Sequence, residues 1–171
     1  MPTVGFNVNV SGVKGGEKYK KIFAQIAAQN VGVRAGVLEG ATNAEGENVA
    51  YYAAVNEFGG RAMHNGKAVT IPARPFMRQT VDKHSDEWGK TLAGPLSGHP
   101  DGAKAAMYII GEKMRGDIQS TIKAGDFVPL SEVTIAKKRE AGKKEPETPL
   151  IDTGALFQSI SYEVIEGGAA E

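Results

Sequence analysis

Residues that could carry out acid–base or metal chemistry are few in this chain and widely spaced. Its histidines, His64, His84 and His99, lack a second ligand at the i, i+2 or i, i+4 spacing of a metal-binding pair, apart from the acidic Asp86 near His84. The pattern therefore favours surface histidines over a metal site. Because the chain contains no cysteine, disulfides, thiolate nucleophiles and cysteine-ligated metals are excluded. We expect neither a metal centre nor a cofactor.

Groups that could serve as nucleophiles, acids or bases also lack the order that catalysis needs. No Gly-x-Ser-x-Gly elbow presents a serine. The carboxylate pairs Asp86-Glu87 and Glu145 with Glu147 lie in polar stretches, which favours solvated charge over an acid and a base. The glycine-rich segment 12–16 has neither of the glycine spacings that cradle a phosphate. These patterns predict a protein that is not an enzyme.

The charges of the chain are balanced and show one local concentration. The 20 Lys and Arg residues match the 20 Asp and Glu residues, so no overall field attracts DNA or an anionic membrane. The run Lys137-Lys138-Arg139, with two more lysines at 143 and 144, could contact DNA phosphates. A solvated helix face explains the run more simply. No stretch approaches the roughly 20 apolar residues of a membrane span, and residues 1–7 do not resemble a signal peptide, so we expect neither insertion nor secretion.

Hydrophobic periodicity predicts an alternation of strands and helices. Alternation with period 2 predicts strands at 4–10, Val31–Val37 and 160–164. Apolar stripes with helical spacing predict helices at 17–29, Val49–Phe58, 75–92, 101–125 and 132–141. Asn48 and Ser131 are placed to cap two of these helices. Strands from both ends of the chain should pair in one small mixed or antiparallel sheet with the long helices packed on one face. The fold class is α+β, in a single domain covering residues 1–171.

The connections between these elements are rich in glycine and proline. Asn65-Gly66 favours a tight turn within a loop or hairpin arm at 61–70. Lysines, glutamates and two prolines predict an exposed loop at 142–149, and residues 166–171 should form a flexible tail. At 150–156 we expect a tight turn in which Asp152 accepts backbone N–H groups and Gly154 adopts an unusual φ.

Three stretches of the chain carry a family resemblance. Residues 51–60 predict a short helix that ends in Glu57-Phe58-Gly59, and residues 71–78 place Arg74-Pro75-Phe76 at the start of a long helix. Residues 129–137 and 149–156 lead through Asp152-Thr153-Gly154 into the last strand. In this order and spacing the stretches resemble the virion-morphogenesis and tail-completion families of tailed bacteriophages, over residues 48–165. Asn56 departs from the pattern, since many relatives have histidine there.

This resemblance implies a structural virion protein of the neck or the head-proximal tail, made in the bacterial cytoplasm. It implies a homo-oligomeric ring, a hexamer, that joins the head connector to the tail, with connector and tail proteins as neighbours. Genome DNA would pass through the ring without sequence-specific binding. The alternatives are a tail terminator ring protein, a virion hydrolase, and a DNA-binding module that uses Lys137 to Arg139.

The residues of the three stretches are the candidates for structural or subunit-contact roles. Arg74, held between Pro72 and Pro75, is expected to pair with a carboxylate, that of Glu57 or Asp152. Sheet edges and residues 61–70 are expected to mediate subunit contact, because an unpaired strand edge is a ready binding surface. The full candidate set is Glu57, Phe58, Gly59, Arg74, Pro75, Phe76, Asp152, Thr153 and Gly154.

Overall fold

The computed structural model describes residues 30–64, 66–92 and 102–166, together with Ala24. Five helices and four strands follow one another in this part of the chain. They are β1 (Val31–Val37), α1 (Val49–Phe58), β2 (Gly60–His64), β3 (Lys67–Ile71), α2 (Phe76–Leu92), α3 (Gly102–Ala124), α4 (Glu132–Glu140), α5 (Ala155–Ser159) and β4 (Ile160–Glu166). The protein is an α+β fold. The strand and helix predicted at 4–10 and 17–29 lie outside the described residues, apart from Ala24.

The first described strand pairs with the last one, as the alternation patterns predict. β1 and β4 are antiparallel, and their register joins Val31 to Glu166 and Val37 to Ile160. Arg34 and Glu163 face each other across the pair and form an ion pair of 2.8 Å. Because side chains alternate along a strand, the neighbouring Val33 and Ala35 point to the opposite face, where the helices lie.

The long helix α3 covers this inner face of the sheet. Ala106, Ile110 and Met114 of α3 form a buried cluster with Trp88 of α2, and Val33 packs against it. Gly111 lets the sheet come close, because a Cβ at this position would lie 2.3 Å from Cδ2 of Tyr162. The predicted packing of long helices on one face of the sheet is therefore confirmed.

A second buried cluster joins the remaining helices to the end of the sheet. Its members come from α1, α2, α3, α5 and β4, and they are Val49, Ala53, Phe76, Ile118, Ile122, Leu156 and Ile160. Phe76, the first residue of α2, is 1% exposed, so the start of this helix is anchored in the core.

Two helix caps form as predicted. The side chain of Asn48 accepts hydrogen bonds from the N–H groups of Ala50 and Tyr51. That of Ser131 accepts from the N–H of Thr134. Each cap binds amides that have no partner within the helix.

β2 and β3 form a separate antiparallel hairpin, which corresponds to the predicted arm at 61–70. Its register joins Gly60 to Ile71 and His64 to Lys67. The main contacts of the hairpin are between its own two strands, and the Met63 side chain is 70% exposed. The hairpin therefore projects from the body of the protein.

The side chains at 137–139 and 142–149 are exposed or partly exposed as expected, with the exception of Lys138 and Pro149. Lys138 is buried, and its Nζ donates hydrogen bonds to the carbonyl oxygens of Thr148 (2.9 Å) and Ile151 (2.6 Å). Pro149 is buried as well. The two carbonyls compensate for the desolvation of the ammonium group, so the middle of the basic run holds the end of the loop against α4.

Within the described residues, no helix combines the length and the apolar character that crossing a membrane requires.

Candidate interaction site

Glu57 caps a helix other than its own. It lies in the last turn of α1 and is buried, and its carboxylate accepts hydrogen bonds from the backbone N–H groups of Met77 (2.9 Å) and Arg78 (3.2 Å). These two amides belong to the first turn of α2, where no helical carbonyl can bind them. A negative charge is also favourable at a helix N-terminus. Glu57 therefore joins the end of α1 to the start of α2.

Arg78 strengthens the same junction from the side of α2. Its Nε donates to Oε1 of Glu57 (2.9 Å), and its Nη2 donates to the backbone carbonyl of Glu57 (2.7 Å). The guanidinium carbon lies 5.3 Å from the centre of the Phe58 ring, within the range of a cation–π contact. One arginine thus binds a side chain, a carbonyl at the C-terminal end of α1 and an aromatic ring.

The expected pairing of Arg74 with a carboxylate is wrong. Its Nε donates to the carbonyl of Val128 (3.0 Å) and its Nη2 to that of Pro129 (3.4 Å). Its backbone N–H donates to the carbonyl of Asn56 (2.6 Å). Glu57 is already engaged by Arg78 and the α2 amides, so the buried guanidinium binds carbonyl oxygens of another segment. Burial lowers the pKa of the Arg74 guanidinium.

Gly59 and Pro75 shape the two ends of this junction. Gly59 has φ +76°, and a Cβ there would lie 3.0 Å from the carbonyl oxygen of Ile71, so the α1–β2 turn needs glycine. The carbonyl of Pro75 accepts a hydrogen bond from the N–H of Gln79 and so starts α2. Six of the nine candidate residues, 57–59 and 74–76, therefore come together at one place.

The other three candidates form a turn at the start of α5, and its capping residue differs from the expected one. Gly154 does adopt positive φ, at +82°. The acceptor of the backbone N–H, however, is the hydroxyl of Thr153, which binds the N–H of Ala155 at 3.3 Å. Asp152 instead lies 3.5 Å from Nζ of Lys143. A hydroxyl two residues before the amide closes the turn in place of the carboxylate.

This turn borders an open groove of about 730 Å³ between α1 and α4. Tyr52, Asn56, Lys138 and Thr153 are among the residues that line it. Burial lowers the pKa of Lys138, and the carbonyls described above occupy its ammonium group. The buried ammonium group of Lys138 therefore stabilises the loop that ends at the groove.

The basic run offers less to DNA than its sequence suggests. Lys138 is buried, and Arg139 forms an ion pair with Glu147 across the loop. Of the run, Lys137 is exposed without an ion pair to another described residue. Phosphate contact requires cations that can approach the DNA backbone, which burial prevents for Lys138 but not for Lys137 or the exposed Lys144, so the DNA-binding alternative stays a prediction.

An apolar surface covers the outside of the junction. The only charged residue of α1 is Glu57, which points inward, whereas Tyr51 and Phe58 are 74% and 60% exposed. Met63 of the adjoining hairpin is also exposed. We call these three residues the α1–hairpin surface. A helix that buries its charge and exposes its aromatic residues is typical of an interaction site.

Two residues with structural roles at the junction and the groove, Arg78 and Lys138, were not among the sequence candidates. Arg78 lies in the first turn of α2, four residues after Arg74, and only its distance to Glu57 in the folded chain reveals its role. Lys138 follows Ile135 by three residues, so it shares the inward face of α4. That spacing is a signal that could have marked Lys138 as buried.

His84 is half-buried between two helices, which corrects the expectation of a surface histidine. Its Nδ1 lies 3.7 Å from Glu87 and 3.9 Å from Asp117, and its ring stacks on Trp88. The indole N–H of Trp88 donates to Oδ2 of Asp117 (2.6 Å). Lys113 binds both carboxylates, and its hydrogen bond to Glu87 raises the Lys113 pKa. These contacts link α2 to α3.

Across the described part of the chain, no group of histidine and acidic side chains is arranged to hold a metal ion. Comparisons of the chain with protein-family models, with curated proteins and with solved structures found no match.

Proposed function

We propose that this protein is a structural subunit of a tailed-bacteriophage virion. In this proposal it is a neck or tail-completion protein, not an enzyme, and it assembles into a homo-oligomeric ring, a hexamer, that joins the head connector to the tail. Two lines of support come together. The three sequence stretches resemble those families, and the residues of the first two stretches build the junction that carries the α1–hairpin surface.

The observation that carries the proposal is the exposure of apolar groups on this surface. Two aromatic side chains of about 150–250 Å² each, exposed by more than half, leave roughly 270 Å² uncovered before the hairpin is counted. The largest apolar patch on a typical monomer is about 300–600 Å² and often functional, so the two aromatic residues reach that size only together with the hairpin. An isolated two-stranded hairpin is also marginally stable in water. Both features are stabilised by a partner.

The junction makes this surface suitable for assembly. Glu57 and Arg78 hold the end of α1, the base of the hairpin and the start of α2 in one arrangement. A surface that is rigid before binding loses little conformational freedom in the complex. Contacts between unlike surfaces of identical subunits close into a ring when their rotation permits it. In the virion, the neighbours would be connector and tail proteins, and DNA would pass through the ring.

Electron microscopy of intact phage particles tests the proposal. An antibody or a fused tag on this chain should label the neck or the head-proximal tail, and density there should resolve six copies. Native mass spectrometry of the purified protein should show the same closed oligomer. A chain that is absent from particles and monomeric at every concentration would contradict the proposal. A label at the tail tip would show that the protein belongs there and not to the neck.

The tail terminator alternative differs only in the position of the ring, so the same labelling distinguishes it. The DNA-binding alternative predicts salt-sensitive affinity that disappears when Lys137 and Arg139 are neutralised.

A further inference from the structure

The projecting hairpin combines apolar side chains with a positive charge. Arg61 is exposed next to Met63 and forms no ion pair with another described residue. Ala68, which pairs with Met63 and therefore shares its face of the hairpin, is exposed on the other strand. Strands of five residues extend about 17 Å from the junction. The hairpin can therefore reach a surface beyond its own subunit.

A second exposed patch on the chain has the opposite charge. Val128 and Val133 are 51% and 65% exposed, and the exposed Asp126 and Glu132 flank them. Neither carboxylate has an ion-pair partner among the described residues. We call these four residues the acidic patch. Its combination of apolar centre and negative rim complements the apolar, positively charged hairpin.

Hydrogen bonds from the side chains of Arg74 and Gln79 hold the backbone of the acidic patch in place. Arg74 binds the carbonyls of Val128 and Pro129, and Nε2 of Gln79 donates to the carbonyl of Asp126 (3.3 Å). The Ser131 cap fixes the start of α4, which carries Glu132 and Val133. The patch is thus formed before any partner binds, as a recognition surface should be.

We propose that the hairpin of one subunit docks on the acidic patch of a second copy of this chain. Arg61 then lies opposite Asp126 and Glu132, while Met63 and its cross-strand partner Ala68 cover Val128 and Val133. The main contacts of the hairpin within its own subunit are between its two strands, so it does not occupy its own patch. The contact is head-to-tail and repeats around a ring. This inference rests on the proposed function and names the surfaces through which the ring closes.

Charge reversal tests the pairing. Arg61→Glu and Glu132→Arg should each raise the dissociation constant of the assembly at least tenfold at low salt, because like charges then face each other. The double variant should recover part of the assembly, since the acid introduced at position 61 again faces an arginine at position 132, although it still meets Asp126. Lys83→Glu, an exposed change of the same kind on α2, is the matched control and should assemble normally. Single reversals with unchanged assembly, or a double variant without recovery, would overturn the inference.

Cysteine cross-linking tests the geometry, because the natural chain has no cysteine. Met63→Cys and Val133→Cys proteins, mixed and oxidised, should form a disulfide-linked dimer of the two variants. Met63→Cys mixed with Tyr108→Cys, an exposed position on α3 outside both surfaces, should not. A ring that forms without the first cross-link overturns the inference and leaves the proposed function intact. A chain that forms no oligomer, in particles or alone, overturns both.

Discussion

Replacing Glu57 should destabilise the protein more than replacing any carboxylate in the loops next to α1. In Glu57→Ala, the N–H groups of Met77 and Arg78 lose their acceptor, which costs about 1–2 kcal/mol as the loss of a helix cap. The lost ion pair with the half-exposed Arg78 adds about 1 kcal/mol at most. We therefore expect the free energy of unfolding to fall by about 1–3 kcal/mol. In a chain of this size that lowers Tm by about 2–12 °C.

Urea and thermal unfolding followed by far-UV circular dichroism measure this loss. Glu57→Gln keeps one acceptor oxygen, so it should lose less than Glu57→Ala. Arg78→Met should lose about 1 kcal/mol, since the carboxylate still binds the amides. Glu140→Ala, at the exposed end of α4, serves as the control and should stay within about 0.5 kcal/mol of the natural protein. If Glu57→Ala is equally stable, the cap does not exist in solution and the argument for a rigid junction fails.

Three further predictions can be checked in the same unfolding assays. Gly116→Ala should raise the free energy of unfolding by about 0.5–1 kcal/mol, because no atom lies within 4 Å of the added methyl and alanine favours helix. Gly111→Ala on the same helix should lower the free energy of unfolding by about 1–3 kcal/mol, because the added methyl meets the Tyr162 ring. Gly59→Ala should lower it by about 1–3 kcal/mol through its positive φ and the nearby carbonyl; equal stability would contradict the turn geometry. Burial lowers the pKa of Lys138 in the folded state, so the unfolded chain binds more protons, and stability should rise as pH approaches the ordinary lysine value of 10.5. Lys138→Met should remove that rise. An unchanged pH profile in this variant would show that Lys138 is not the source of the rise.

Much of the architecture could be predicted from the sequence because it rests on local patterns. The alternation in β1 and β4 and the cap residues Asn48 and Ser131 each report on a few neighbouring residues. The structure agrees with them to within a residue or two at the element ends. The pairing of β1 with β4 could also be predicted, because the pattern offered few other strands as partners.

The connections at the candidate site could not be predicted in the same way. Arg74 and Arg78 are both near Glu57 in the folded chain, and which arginine reaches the carboxylate depends on the direction of the first turn of α2. Lys138 lies in a basic run, yet two loop carbonyls about ten residues later make its burial favourable. Sequence identifies the charged residues, whereas three-dimensional packing decides their partners.

The pairing of β1 with β4 also has a consequence for how the chain folds. It joins positions about 130 residues apart, and closing a loop of that length costs about 4 kcal/mol of entropy. The contacts of α2 with α3 are closer in sequence and can form earlier. During synthesis, the edge of β1 that faces β4 must therefore stay unpaired until residues 160–166 have left the ribosome. A chain that stops before Ile160 leaves this strand edge unpaired, so truncated or slowly released products should be the ones that aggregate.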